Sequence, residues 1–212
     1  MKLRLFSVVA VVALWSLFYG CGGEPPTADL NAAQQALQDA KAAGAEKYAS
    51  SQLSTAQSAY DKAQSALTAE QDKLFKNFDE VSPLIADAKS KAEAAKAAAL
   101  QAKEQAKRGA DAMVSDAAAV VQKARSVLDG TPAGKGTESD VEQLRAELNA
   151  AEADLSAARS AVSSENFDTA KSRAASAKEK AGKVASGTEM AIARYNELKD
   201  RADKTTFWYI QE

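Results

Sequence analysis

The chain contains a single cysteine, Cys21, and no histidine, and these two facts bound the chemistry that its side chains can perform. A cysteine thiolate is a nucleophile and a metal ligand. Histidine is the most frequent general base and the most frequent transition-metal ligand, so its absence removes both roles together. The other reactive groups are carboxylates, amines, hydroxyls and amides. The role of Cys21 therefore decides most of the chemistry that is left.

The sequence around Cys21 has the layout of a secretory signal. Lys2 and Arg4 precede an apolar run at residues 5–19, and Gly20 stands directly before the cysteine. This run of about 15 residues would measure roughly 22 Å as a helix. A helix needs ~20 residues, or about 30 Å, to cross the hydrocarbon core of a bilayer, so the run is too short to cross it comfortably. Residues 17–21 resemble a bacterial lipobox, in which the chain is cut before the cysteine and the thiol receives a diacylglycerol. An uncleaved anchor and a free cysteine are the alternatives.

Lipidation would convert the Cys21 thiol into a thioether, which binds no metal and attacks no substrate. Residues 1–20 would then be a signal peptide and residues 21–27 a lipidated linker.

Removing Lys2 and Arg4 from the 27 basic side chains leaves 25, against 29 acidic ones. A mildly acidic surface argues against nucleic acid as a partner. We therefore predict a protein that is not an enzyme and that uses no cofactor or metal.

Alanine makes up close to a quarter of the chain, and the apolar positions are periodic. Apolar residues recur at alternating steps of three and four in five segments, at residues 30–44, 53–74, 85–127, 141–162 and 167–202. This spacing is typical of helices that wind around one another. Because each alanine buries little surface, the helices must be long. We predict an all-α fold, an elongated antiparallel alanine-rich coiled coil.

Several residues predict where the helices begin and end. Gly44 can adopt the left-handed conformation that closes a helix, and Ser50 or Ser51 can cap the next one. Pro83 either kinks a continuous helix or begins a new one. Residues 129–137 form the clearest predicted loop, and residues 163–166 a second turn.

The third segment changes phase between Gly109 and Ala117, where two steps of four follow one another. We therefore predict a first helical unit at residues 28–112 and a second at residues 113–205. Each would contain three helices, and the stacked units would share a long middle helix. Spacing of this kind also occurs between chains, so self-association is left open.

Three consecutive aromatic residues, Phe207, Trp208 and Tyr209, stand in a predicted tail at residues 206–212. They are conspicuous in a chain with few aromatic residues. One interpretation is that they fold back over Tyr195 and cap the bundle. Another is that they contact a partner protein or a membrane interface, and a third is that the tail is disordered.

Residues 40–49, with their Gly-Ala and Tyr-Ala steps, are followed by Leu53, Ala56 and Tyr60 at heptad spacing. This pattern resembles a family of unknown function found among bacterial envelope lipoproteins with alanine-rich helical repeats. The resemblance covers roughly residues 28–106. A degenerate second copy, which lacks the Gly-Ala and Tyr-Ala steps, covers residues 113–190.

Together these patterns predict a non-catalytic, lipid-anchored envelope protein that acts as a structural spacer or interaction scaffold. Its expected partners are the membrane, through lipidated Cys21, and an unknown envelope protein or the cell wall. In enterobacterial lipoproteins, which the region around Cys21 resembles, an aspartate after the cysteine favours the inner membrane, and this chain has Gly22 at that position. The resemblance therefore implies the outer membrane, and we expect its periplasmic face rather than the cell surface. The alternative is a binding module, either a surface adhesin or a lipid-binding helical bundle.

Overall fold

The computed structural model describes residues 24–132, 134 and 136–210, with side chains described up to Lys204. Within these residues the chain forms six helices and no strand, so the predicted all-α fold is confirmed. The helices are α1 (Thr27–Ala42), α2 (Ala45–Tyr48), α3 (Ser50–Gln71), α4 (Val81–Asp129), α5 (Glu138–Ser163) and α6 (Phe167–Ile210).

The chain divides into two compact units between Lys103 and Glu104. Helices α1, α2 and α3 and the first part of α4 belong to unit 1, and the rest of α4 with α5 and α6 belongs to unit 2. The sequence places this division after residue 112. Each unit thus contains three long helical segments, and α4 contributes to both.

The core of unit 1 consists mainly of alanine, with a few larger side chains between the alanines. Tyr60 is buried and Tyr48 is partly buried, as expected for aromatic side chains that fill an otherwise thin core. The buried residues of the three long segments include Ala33, Leu37, Ala40, Leu53, Ala56, Ala63, Leu67, Ile85, Ala88, Ala92, Ala95 and Ala99. These residues belong to the predicted 3–4 pattern.

The core of unit 2 also consists mainly of alanine, with a few larger apolar side chains between the alanines. Its buried residues include Ala117, Val121, Ala124, Leu128, Val141, Leu148, Ala151, Leu155, Ala158, Ala174, Ala177, Ala181 and Val184. Asp140 of α5 pairs with Arg194 of α6, and Asp154 of α5 pairs with Lys180 of α6. Residue numbers therefore fall along α6 as they rise along α5, and the two helices are antiparallel.

The phase change in α4 lies earlier than the sequence predicts. Ala95 and Ala99 are buried, and Ala102, Lys103, Ala106 and Gly109 are all half-buried, so the seam passes from one phase to the other between Ala99 and Ala110. Beyond it the buried positions are Ala110, Ala117, Val121, Ala124 and Leu128 rather than Gly109, Met113, Val120 and Val127. The prediction of a change between Gly109 and Ala117 was wrong because both alanine-rich phases fit residues 99–117 almost equally well.

The corner between α1 and α3 is built on Gly44, which has a φ of 86°. This left-handed conformation was predicted, and it allows the Gly44 carbonyl to accept the Tyr48 amide at 3.0 Å. The predicted serine cap is wrong, since α3 begins at Ser50 after Ala49 without a side-chain cap. Pro83 lies in the first turn of α4, where a missing N–H costs little.

The loop before α5 is closed on itself and lies against α6. The Gly134 amide donates to the Thr137 hydroxyl at 3.3 Å, and the Gly136 amide donates to the Glu138 carboxylate at 2.8 Å. A Cβ atom added to Gly134 would lie 2.7 Å from the ring of Tyr195. These two loop amides therefore have partners within the chain.

Enlarging a buried alanine tests whether close packing holds unit 1 together. Ala92 is 0% exposed, whereas Ala94 of the same helix is exposed. We expect Ala92→Leu to lower the free energy of unfolding by about 1–3 kcal/mol, because the extra carbons force the helices apart. Ala94→Leu, with nearly the same helix propensity, should change it by less than about 0.5 kcal/mol in urea titrations. Equal effects of the two substitutions would contradict close packing at Ala92.

Two glycines provide a second comparison. Gly44 needs a positive φ, and a Cβ there would lie 3.3 Å from Tyr48 Cδ2; Gly182, within α6, has nothing within 4 Å. We expect Gly44→Ala to destabilise the protein by about 1–2 kcal/mol and Gly182→Ala to stabilise it by about 0.5–1 kcal/mol. Thermal unfolding followed by circular dichroism measures both, and a stabilising Gly44→Ala would show that the corner does not require glycine.

Candidate functional site

The side chains that the sequence singles out as possible sites lie outside the part of the chain whose side chains the structure describes. Cys21 lies outside the described residues. Phe207, Trp208 and Tyr209 have helical backbone as part of α6, but their side chains lie outside the described part. Among the described residues, no helix is both long enough and apolar enough to cross a membrane.

The most strongly organised polar cluster of the described structure surrounds Asp154, which the sequence analysis missed. Asp154 is 6% exposed and stands beside Leu155 on the inner face of α5. One carboxylate oxygen accepts from Arg173 Nη1 at 2.8 Å. The other accepts from Ser176 Oγ at 2.8 Å and from Lys180 Nζ at 2.7 Å. All three donors come from successive turns of α6, so one carboxylate binds three turns of the neighbouring helix.

These contacts set the protonation state of the carboxylate. The hydrogen bonds from Lys180 and Ser176, and then that from Arg173, lower the pKa of Asp154 to about 2 despite its burial. A carboxylate held in this way is charged at neutral pH, and its oxygens already accept three donors. It is a poor general base because its protonated form is too acidic. The cluster therefore acts as a clasp between α5 and α6.

The signal for this clasp was present in the spacing of α6. Arg173, Ser176 and Lys180 follow one another at steps of three and four, so they form a polar stripe along one side of the helix. That stripe lies beside the apolar positions Ala174, Ala177 and Ala181. The pattern shows a polar flank on α6, but the sequence does not say which residue of another helix meets it.

Other ion pairs link neighbouring helices within each unit. Asp39 of α1 accepts from Lys96 of α4 at 3.0 Å, and the pKa of Asp39 is lowered by hydrogen bonds from Gln35 and Lys96. In unit 2, Lys178 of α6 binds Asp116 of α4 at 2.5 Å. Such exposed pairs contribute ~0–1 kcal/mol each, but they distinguish one helix register from another.

The lysine-rich stretch of α4 is largely paired with acidic side chains. Lys91 binds Asp87 at 2.5 Å, and Lys107 binds Asp111 at 2.7 Å. Hydrogen bonding to Asp111 raises the pKa of Lys107. Among the described residues, no group of three or more cysteine or acidic residues is placed to hold a metal ion. The charges of α4 thus serve mainly as solvated helix pairs.

Comparison of the chain with protein-family models, with curated proteins and with solved structures gives no match.

Replacing the clasp carboxylate tests its contribution to stability. Asp154 has a pKa of about 2 in the folded protein, against a reference value of 3.8. Its stabilising effect is therefore complete above the reference value and is lost as the pH falls through the folded pKa. At neutral pH we expect Asp154→Asn to lower the free energy of unfolding by about 1–2 kcal/mol, allowing for the partly exposed cations.

The difference between the wild type and Asp154→Asn should shrink as the pH falls from about 4 to about 2. Asp116→Asn is the matched control, because its carboxylate pairs with Lys178 at the surface and is 55% exposed. We expect the control to change stability by less than about 1 kcal/mol. Urea unfolding across this pH range measures both, and a pH-independent effect of Asp154→Asn would contradict the ionic clasp.

Proposed function

We propose that this chain is a non-catalytic, lipid-anchored protein of the bacterial envelope that acts as a structural spacer or interaction scaffold. Lipidated Cys21 would attach it to the outer membrane, facing the periplasm, through the linker at residues 21–27. The proposed signal peptide, the cysteine and the linker come from the sequence pattern around Cys21. Membership in the alanine-rich lipoprotein family is part of the same proposal.

The observation that carries this proposal is that the apolar side chains of the long helices are buried between the helices of each unit. In each unit the alternating alanine and larger apolar side chains are buried against neighbouring helices. Helices packed in this way are stiff structural elements, because sliding or separating them would expose the whole seam. A protein built from such helices is suited to holding its attached groups in fixed positions.

The polar groups support the same conclusion. The most perturbed carboxylate among the described residues, Asp154, binds Arg173, Ser176 and Lys180 rather than facing a pocket. Charges that join neighbouring helices within a unit are what a scaffold requires, since they favour one register of the helices over its alternatives.

The partner of the proposed scaffold would contact surfaces that the cores do not use. Phe207, Trp208 and Tyr209 are the proposed contact, because aromatic residues are frequent at the centres of protein interfaces. The cell wall or another envelope protein would be the partner on the periplasmic side.

Replacement of the anchor residue tests the proposed attachment. In wild-type cells we expect the protein to be recovered with membranes and to incorporate a labelled fatty acid. Cys21→Ser should abolish the labelling and should leave the protein soluble or unprocessed, because serine cannot form the thioether. Ser7→Ala, elsewhere in the proposed signal peptide, is the control and should retain the label. Fatty-acid labelling that persists in Cys21→Ser would contradict the proposed lipidation of Cys21.

A further inference from the structure

The loop between α3 and α4, residues 72–80, exposes two large apolar side chains next to each other. Leu74 is 90% exposed and Phe75 is 85% exposed, the two highest values among the large apolar residues of the described structure. The sequence assigns Leu74 to the buried seam of α3, and this prediction was wrong because α3 ends at Gln71. Neighbouring bulky apolar residues at the tip of a loop are uncommon on a surface that faces only water.

The chain on both sides of this pair is held in place. The carboxylate of Glu70 accepts from Lys73 and also from the Asn77 amide at 3.4 Å. The side chain of Asn77 in turn accepts from the Asp79 amide at 2.9 Å. Phe78, three residues after Phe75, is buried in the core of unit 1. The pair is therefore exposed by an ordered loop that directs a different aromatic residue inward.

The helices of unit 1 show at which end this loop lies. The backbone amide of Asn77 donates to Glu70 near the end of α3, and α4 begins only four residues later at Val81, so the end of α3 lies near the beginning of α4. Ser58 and Lys62 of α3 line one surface groove together with Leu84 and Asp87 of α4, so the two helices lie side by side and run in opposite directions. Gln71 is nine residues beyond Lys62, or roughly 14 Å along α3, whereas Val81 is only three residues before Leu84. The end of α3 and the loop after it therefore project beyond the first turn of α4.

The beginning of α1 lies at this same end. Only residues 43–49, which include the short helix α2, join α1 to α3, so these two packed helices run in opposite directions. Because α4 also runs opposite to α3, α1 and α4 run in the same direction, and Asp39 binds Lys96 between them. Thr27 precedes Asp39 by 12 residues, and Leu84 precedes Lys96 by 12 residues. Thr27 is thus level with Leu84. Cys21 is six residues before Thr27, so an extended chain places it within about 20 Å of the start of α1.

We propose that Leu74 and Phe75 insert into the lipid interface of the membrane that holds Cys21. This inference rests on the proposed function for the anchor itself. The occupant is a lipid surface because the pair lies at the end of unit 1 to which the proposed lipidated linker leads. Leucine and phenylalanine partition into the boundary between headgroups and acyl chains.

The charges around the pair set the depth of insertion. Lys73 is bound to Glu70, but Lys76 follows the pair, and its long side chain can reach lipid phosphates while its stem stays beside the apolar residues. Asp72, Asp79 and Glu80 keep the remainder of the loop in the headgroup layer. Unit 1 then touches the membrane at two points, the anchor and the loop, and these two contacts fix how its helices are oriented on the bilayer.

A tryptophan at position 75 measures insertion directly. In the chain from Cys21 onward, Trp208 is the only tryptophan, so Trp208→Phe combined with Phe75→Trp leaves one fluorophore in the loop. The single thiol of Cys21 is coupled to a maleimide-bearing phospholipid in phosphatidylethanolamine–phosphatidylglycerol vesicles with brominated acyl chains. We expect a blue-shifted emission and strong quenching by the bromine atoms.

Leu100→Trp in the same Trp208→Phe background is the matched control. Leu100 is an apolar residue of unit 1 that is 51% exposed, and it lies beyond Lys96, at the opposite end of the unit. We expect quenching at position 75 to exceed that at position 100 several-fold, with unchanged circular dichroism in both variants. Equal quenching at the two positions would overturn the inference.

A blue shift at position 75 that appears without vesicles and grows with protein concentration would also overturn the inference, because the pair would then pack against a second copy of the chain. Chemical coupling makes this result independent of lipidation in cells. Failure of the loop to insert and failure of Cys21 to be lipidated are therefore separate outcomes.

Discussion

The constraint on which this structure depends is the small size of alanine at the contacts between helices. A buried alanine adds only about 0.8 kcal/mol of apolar burial, so no single contact holds a unit together. Small side chains instead allow helices to approach closely along their whole length, and stability accumulates over many turns. Larger residues such as Ile85, Tyr60 and Leu155 then fill the space that alanine leaves. Because each contact contributes so little, the helices must be long to make a unit stable.

A core of nearly uniform alanine stabilises helices without strongly distinguishing one register from the next, and the polar contacts supply that distinction. Asp154 meets three donors of α6, and a shift by one turn would leave this buried carboxylate without part of its hydrogen bonding. Among the described residues, no buried side-chain polar atom lacks a partner. Packing thus determines that the helices associate, and the ion pairs determine how they align.

The sequence predicts the helices well because their periodicity extends over many turns, and the loop at residues 129–137 because glycine and proline interrupt it. The sequence-based predictions are wrong where the spacing of apolar residues fits more than one arrangement. Leu74 continues the spacing of α3 but lies beyond the last helical residue, and the phase change between Ala99 and Ala110 is hidden among interchangeable alanines. Asp154 could not be found from spacing alone, since its three partners lie on another helix. The proposed roles of Cys21 and of the aromatic residues near the end of α6 rest on sequence patterns.

The central claim is that each unit is held by its alanine seams as one cooperative body, and native-state amide hydrogen exchange tests it most directly. We expect the buried-face amides of α3 at residues 53–67 to exchange with the same free energy as those of α4 at residues 85–99, because neither helix can open without the other. If α3 exchanged at a free energy several kcal/mol below that of α4, its seam would not hold it, and the structural basis of the proposed scaffold would be wrong.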